Sequence, residues 1–205
     1  MRILLFGATG TLGSRIATEL ADRGERVTSA SRTGHSPSPD IPAVTVDATD
    51  SDSVAAAAEG YDVIASALHI DPDNVVPVTT GLLDGARKSG VRRIVFVGGA
   101  GSLKVPGGGD LVDTPTFPAE WKPVSMAHRD ALNLIRKVDD LDWSYLSPSA
   151  AIAPGERTGK FRMGGDDLLA DADGTSFVSA EDYAVAFADE LEEGNAIRRR
   201  ITVGY

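Results

Sequence analysis

Gly7-Ala8-Thr9-Gly10-Thr11-Leu12-Gly13, following directly on the apolar run Ile3-Leu4-Leu5-Phe6, sets the architecture of this 205-residue chain. An apolar run stopped by a glycine reads as a buried strand, and Leu12 to Arg23 carries apolar residues at the three-to-four spacing of a helix. Each glycine has its own reason in such a strand–turn–helix. Gly7 permits the tight turn, Gly10 lets the backbone approach a pyrophosphate, and Gly13 lets the helix lie close on the strand. Amides at the helix start then face the phosphates. Gly7, Thr9, Gly10, Thr11, Leu12 and Gly13 are therefore the candidate phosphate-binding residues.

Outward from this turn, short apolar runs recur at Arg26 to Ala30, Val44 to Val46, Val63 to Ala65, Arg93 to Val97 and Trp143 to Leu146. Between them, Ser51 to Ala58, Asn74 to Ser89, Ser125 to Val138 and Ala180 to Glu192 have helical spacing. Strands alternating with helices predict parallel strands joined by crossover helices, here in the order βαββαβαβαβ with one more helix and strand. Gly24 and Gly90 stop helices, and Ser179 before Ala180-Glu181-Asp182 reads as an N-cap with acids in the first turn. The expected fold is a single α/β domain of the Rossmann type over residues 1–205, a doubly wound, mostly parallel sheet. Two Gly-, Pro- and Asp-rich segments resist assignment, Gly98 to Lys122 and Pro148 to Thr175. Both follow strands and so emerge at the carboxyl ends, where open α/β sheets bind ligands. They are read as substrate-side walls, with residues 148–178 as an irregular lid. Ser36 to Pro42, with three prolines, reads as a stiff surface loop.

A free ribose 2′-hydroxyl is usually held by an acid about 20 residues beyond the glycine turn. Residues 28 to 34 are Thr-Ser-Ala-Ser-Arg-Thr-Gly, with no acid, and Arg32 stands where a guanidinium could pair with a 2′-phosphate. NADP(H) is therefore preferred to NAD(H). Strand ends further place Asp47 and Ala48 beside an adenine pocket, and Ser66, Ala67 and Leu68 along the nicotinamide ribose.

Composition narrows the partners. A net charge of −10 repels nucleic acid and anionic membrane surfaces, and Arg198-Arg199-Arg200 reads as a solvated start to a final strand. No stretch approaches the length of a membrane span, and Met1 to Phe6 is far shorter than a signal core. With no cysteine there is no disulfide or thiolate metal site. The expectation is a cytoplasmic protein, monomer or homodimer, whose partner is a small-molecule substrate. Three histidines at 35, 69 and 128 lack ligand spacing, and the acids near Asp171-Ala172-Asp173-Gly174 fail the spacing of a calcium loop, so no metal site is expected.

GATGTLG at 7–13, VGGAGSL at 97–103, DWSYLSPSAAIAPGERTGKFR at 142–162 and VSAEDYAVAF at 178–187 resemble the atypical, NAD(P)H-binding branch of the short-chain dehydrogenase/reductase superfamily, with its NmrA-like and flavin/biliverdin-reductase-like proteins. The resemblance implies about seven strands, an NADP-linked redox function, and cofactor contacts at Gly98 and Gly99. Ordinary members use a serine after the fifth strand and a Tyr-x-x-x-Lys pair on the next helix. Here Gly101 stands for the serine, with Ser102 one residue beyond, Val124 for the tyrosine and His128 for the lysine. Ser102, His128 and His69, just past the fourth strand, are the remaining catalytic candidates, while Tyr145 and Tyr183 read as packing residues. The expected function is an NADPH-dependent oxidoreductase acting on a quinone, flavin or carbonyl compound. The alternatives are a catalytically silent NADP(H) sensor and an epimerase-like enzyme.

Overall fold

The computed structural model describes residues 1–205. Its strands are β1 (Arg2–Phe6), β2 (Arg26–Ser31), β3 (Ala43–Thr45), β4 (Val63–Ser66), β5 (Arg93–Val97), β6 (Asp142–Ser147), β7 (Ala151–Ala153), β8 (Arg162–Gly164), β9 (Phe177–Ser179) and β10 (Arg199–Gly204). The helices are α1 (Thr11–Asp22), α2 (Ser51–Ala58), α3 (Val75–Ser89), α4 (Lys122–Ile135) and α5 (Ala180–Glu193). The main sheet has the order β3-β2-β1-β4-β5-β6-β10-β8, parallel throughout except that β8 runs antiparallel to β10.

The central strands are apolar on consecutive residues because helices cover both faces. Leu4, Phe6, Ile64, Ile94 and Phe96 pack under α2, α3 and α4. Ile3, Leu5, Val63, Ala65 and Val95 pack under α1 and α5. The chain reverses its winding between β1 and β4, the switch point at which this architecture binds ligands outside the carboxyl ends of its strands.

The expected α/β Rossmann sheet is present with eight strands rather than about seven. The eighth, β8, is three residues long and pairs only with β10, too short to show a period. The segment expected as an irregular lid at 148–178 is partly regular. Its ends form a two-stranded parallel ribbon, β7 with β9. Its middle is fastened to the helices: Arg157 donates to Glu19 of α1, Gly155 N–H to Glu181, and Thr158 and Gly159 to Asp182 of α5. Burial works against the Asp182 charge, but those donors and the Tyr205 hydroxyl outweigh it and hold the carboxyl below its usual range. A segment with this many anchors is a strap, and of it only residues 148–152 line the cleft beyond the cofactor edge.

Arg200 also departs from expectation. Strand β10 lies inside the sheet, so Arg200 is 6% exposed, with Nε 2.7 Å from Asp166 Oδ1 and Nη2 donating to the Ser102 and Asp166 carbonyls. Arg136 reaches the same carboxylate oxygen at 2.7 Å.

Candidate cofactor site and substrate cleft

Gly10 is the N-cap of α1 and offers no side chain to the helix end. The first helical bond runs from Ser14 N–H to Gly10 oxygen, so the amides of Thr11, Leu12 and Gly13 have no partner within the helix, and no acid occupies the first turn. Thr9, Gly10 and Thr11 are exposed above them. Gly7 has φ +76°, and a Cβ there would stand 2.5 Å from the Ala67 carbonyl oxygen. A Cβ on Gly13 would stand 2.0 Å from the Gly7 oxygen, whereas one on Gly10 would meet nothing closer than 3.4 Å. Gly7 and Gly13 are thus demanded by the protein. Gly10 is demanded by nothing in it, as expected of a position kept bare for a ligand.

The other candidate cofactor residues follow along the same edge, because parallel neighbours bring their carboxyl ends side by side. Arg32 is exposed directly after β2. Asp47, after β3, accepts from Thr49 N–H at 2.9 Å and Thr49 Oγ1 at 2.8 Å. These bonds, the backbone one foremost, with a smaller contribution from the Arg32 charge, hold its carboxyl below the usual range. Ala48 and Ser66 are buried, while Ala67 and Leu68 lie half-buried beside the glycine turn. Gly98 and Gly99 follow β5, and the structure supplies a reason for both. A Cβ on Gly98 would lie 2.3 Å from the Tyr145 ring, and one on Gly99 would lie 2.7 Å from His128 Cβ. The backbone and donor set from Arg32 to Gly99 fit an extended dinucleotide, with anion-binding amides at the centre and a cation at one end.

Beyond Gly99 the edge opens into a cleft of about 530 Å³ between the 100–121 segment, α4 and the residues after β6. Leu111, Phe117, Pro118, Trp121, Pro148 and Ile152 form its apolar walls, Ser125 lines it, and no charged side chain does.

The three catalytic candidates are not gathered there. His128 lines a separate small cavity with Ser66, Leu68 and Tyr145. The Tyr145 hydroxyl donates to the His128 carbonyl at 2.9 Å, and its oxygen lies 3.2 Å from His128 Nδ1. A phenol has one proton, so Nδ1–H is the donor in the second contact and Nε2 is left as an acceptor. Burial, reinforced by the nearby His69, lowers the His128 pKa to about 4 and keeps the ring neutral at physiological pH. His69 sits on an exposed turn, Nε2 4.0 Å from Asp71 Oδ2. Ser102, expected as a catalytic hydroxyl, does not line the cleft. Ser102 is 8% exposed, its Oγ 3.5 Å from Arg200 Nη1 in the buried cluster behind the cleft. Tyr145 and Tyr183 are packing residues as expected; burial pushes both phenols up, and each donates to a backbone carbonyl.

A histidine held neutral when folded makes the unfolded chain the better proton acceptor between about pH 4 and the free-histidine value of about 6.5. Stability linked to His128 is therefore lost as pH falls through that window. The melting midpoint of wild type is expected to drop there more steeply than that of His128→Gln, and parallel curves would contradict it.

Fold and site together define a dinucleotide-binding α/β protein with an apolar cleft beside the candidate cofactor edge. The model of a family described as NAD(P)H-binding matches residues 7–193, and the chain belongs to that family. Similar solved structures include a candidate exported protein of Burkholderia pseudomallei, 51% identical with a TM-score of 0.94 over 100% of both chains. A candidate epimerase of Bacteroides thetaiotaomicron is 36% identical, TM-score 0.93, over 100% of this chain and 96% of that one. A candidate NADH-flavin reductase of Streptococcus pneumoniae is 31% identical, TM-score 0.86, over 100% and 99%. No helix is long and apolar enough to cross a membrane.

Proposed function

We propose that this protein is an NADPH-dependent reductase of a small uncharged acceptor, a quinone, flavin or carbonyl compound, working in the cytoplasm. The observation that carries the reading is the continuity of the edge: anion-binding amides and Arg32 lead past Gly99 into a cleft with apolar walls and no charge. When bound there, a reduced nicotinamide supplies a hydride. The chain's residues bind the phosphates and hold the acceptor against apolar walls. With the His128 ring neutral and both buried phenols pushed up, these residues offer no strong acid, so the acceptors favoured are those that take their proton from solvent. The flavin reductase relative fits such chemistry. An epimerase, as the Bacteroides relative is described, needs groups that exchange protons with substrate, and the cleft lining has no titratable side chain.

The test is NADPH oxidation by the purified protein with a panel of quinones, flavins and aldehydes. Binding without turnover of any acceptor would favour a silent sensor instead, a reading motivated by Val124 in place of the tyrosine. For cofactor choice, Arg32→Ala is expected to weaken NADPH binding by roughly 10- to 100-fold, the size of a lost charge-assisted contact of about 1.5–3 kcal/mol, and to leave NADH binding unchanged. Nucleotide fluorescence titration reads both, and equal NADPH affinity in the variant would remove Arg32 from the site.

A further inference from the structure

We propose that the Ser125 hydroxyl is the hydrogen-bond donor that receives the acceptor's oxygen, and that the acceptor is a conjugated, uncharged quinone-type carbonyl; this rests on the reductase reading above. The resemblance to the superfamily puts its serine at position 101, where this chain has glycine. A Cβ built on Gly101 would lie 2.7 Å from Ser125 Cβ and 3.3 Å from Val112 Cβ. The space of the missing side chain is thus already filled, from the opposite wall, by another serine. The bare backbone of Gly101 is what lets α4 bring that serine in.

Ser125 is the cleft hydroxyl suited to the task. The Thr114 hydroxyl is spent on the Leu111 carbonyl at 2.8 Å and that of Ser149 on the Val203 carbonyl at 2.9 Å. Thr116 stands on the exposed rim. Ser125 is half-buried, lines the cleft beside Ala100 and Gly101, and donates to no protein acceptor. It sits in the first turn of the 14-residue helix α4, which carries no acid there, so the helix end favours negative charge developing nearby. Phe117, Trp121, Pro118 and Pro148 supply flat apolar surfaces for a planar ring, and the uncharged lining disfavours an ionised one. In the reaction the acceptor gains a hydride from the reduced nicotinamide and a proton from cleft water, becoming a hydroquinone as the dinucleotide is oxidised. Ser125 hydrogen-bonds the oxygen on which negative charge builds between those two events.

The experiment compares wild type with Ser125→Ala, using 1,4-naphthoquinone and, separately, flavin mononucleotide as acceptors, with NADPH affinity and melting midpoint measured alongside. An oxyanion donor is typically worth about 100-fold in kcat. The expected result is a naphthoquinone kcat about 100-fold lower in the variant, with KM, NADPH affinity and midpoint little changed. A variant as fast as wild type overturns the role of Ser125 and leaves the reductase reading intact. Turnover of the flavin but not the quinone overturns the substrate class. A wild type that binds NADPH and reduces neither acceptor overturns the proposal at its base, before any variant is compared.

Discussion

Gly13→Ala is expected to abolish dinucleotide binding and to lower the melting midpoint together. The added methyl would stand 2.0 Å from the Gly7 oxygen, 2.8 Å from the Gly7 carbonyl carbon and 3.0 Å from Ala8 Cα, all backbone of the turn itself. No rotamer relieves such a contact, so α1 must move off β1. Overpacking of this kind costs about 1–3 kcal/mol, only partly offset by the roughly 1 kcal/mol by which alanine outdoes glycine within a helix. Displacing the amides of residues 11–13 by an ångström removes the alignment on which phosphate binding depends. A loss of affinity of about 100-fold or more is expected by fluorescence titration. Gly10→Ala is the matched control. Its methyl finds room at 3.4 Å, so the midpoint should hold while binding falls, because only a bound pyrophosphate competes for that space. Equal loss of stability in both variants would show that Gly10 serves the fold and not a ligand.

Glu190→Ala is expected to be the most destabilising side-chain truncation. Glu190 is 4% exposed and meets the Arg93 guanidinium at 2.7 Å, the Ser144 hydroxyl at 2.6 Å and the Ala196 amide at 3.1 Å. Arg93 also donates to the Glu190 and Asp142 carbonyls, tying β5 to β6 and α5. Removing the carboxylate leaves a largely buried guanidinium without its paired carboxylate, with only the weaker pull of Asp142, and an amide with no acceptor, a loss of about 3–5 kcal/mol. For a chain of this size that corresponds to a midpoint lower by roughly 6–20 °C in a thermal melt. Pairing Glu190→Leu with Arg93→Met should recover much of the loss, since a buried ion pair exchanged whole for apolar groups is often neutral. If the double variant were as unstable as Glu190→Ala, the stranded charge would not be the cause.

The same network shows where sequence patterns stop. Arg93 and Glu190 lie 97 residues apart, and nothing local marks either as buried; the apolar run at 93–97 announces only a strand. Arg200 reads as solvated in the run of three arginines, and Ser102 as a catalytic candidate beside Gly101. Each is buried against the other, and Arg200 is held as well by Asp166. The strap at 154–160 reads as loop because its Gly, Pro and charged residues have no period. Its order comes from carboxylates on α1 and α5 that are distant in the chain.

Read along the chain, the residues suffice for the alternation of strands and helices and for the glycine turn, because each depends on neighbours within a few positions: apolar periodicity, a cap, a glycine where a Cβ cannot fit. Fourteen-residue α4 is equally plain as a helix, yet its spacing says nothing of what its inner face touches. Folding decided that His128 would lie against Tyr145, neutral and outside the cleft, and that Ser125 would fill the place left by Gly101. Proton affinity and hydrogen-bonding capacity are set by the groups within a few ångströms in space, and here those groups come from separate strands and helices.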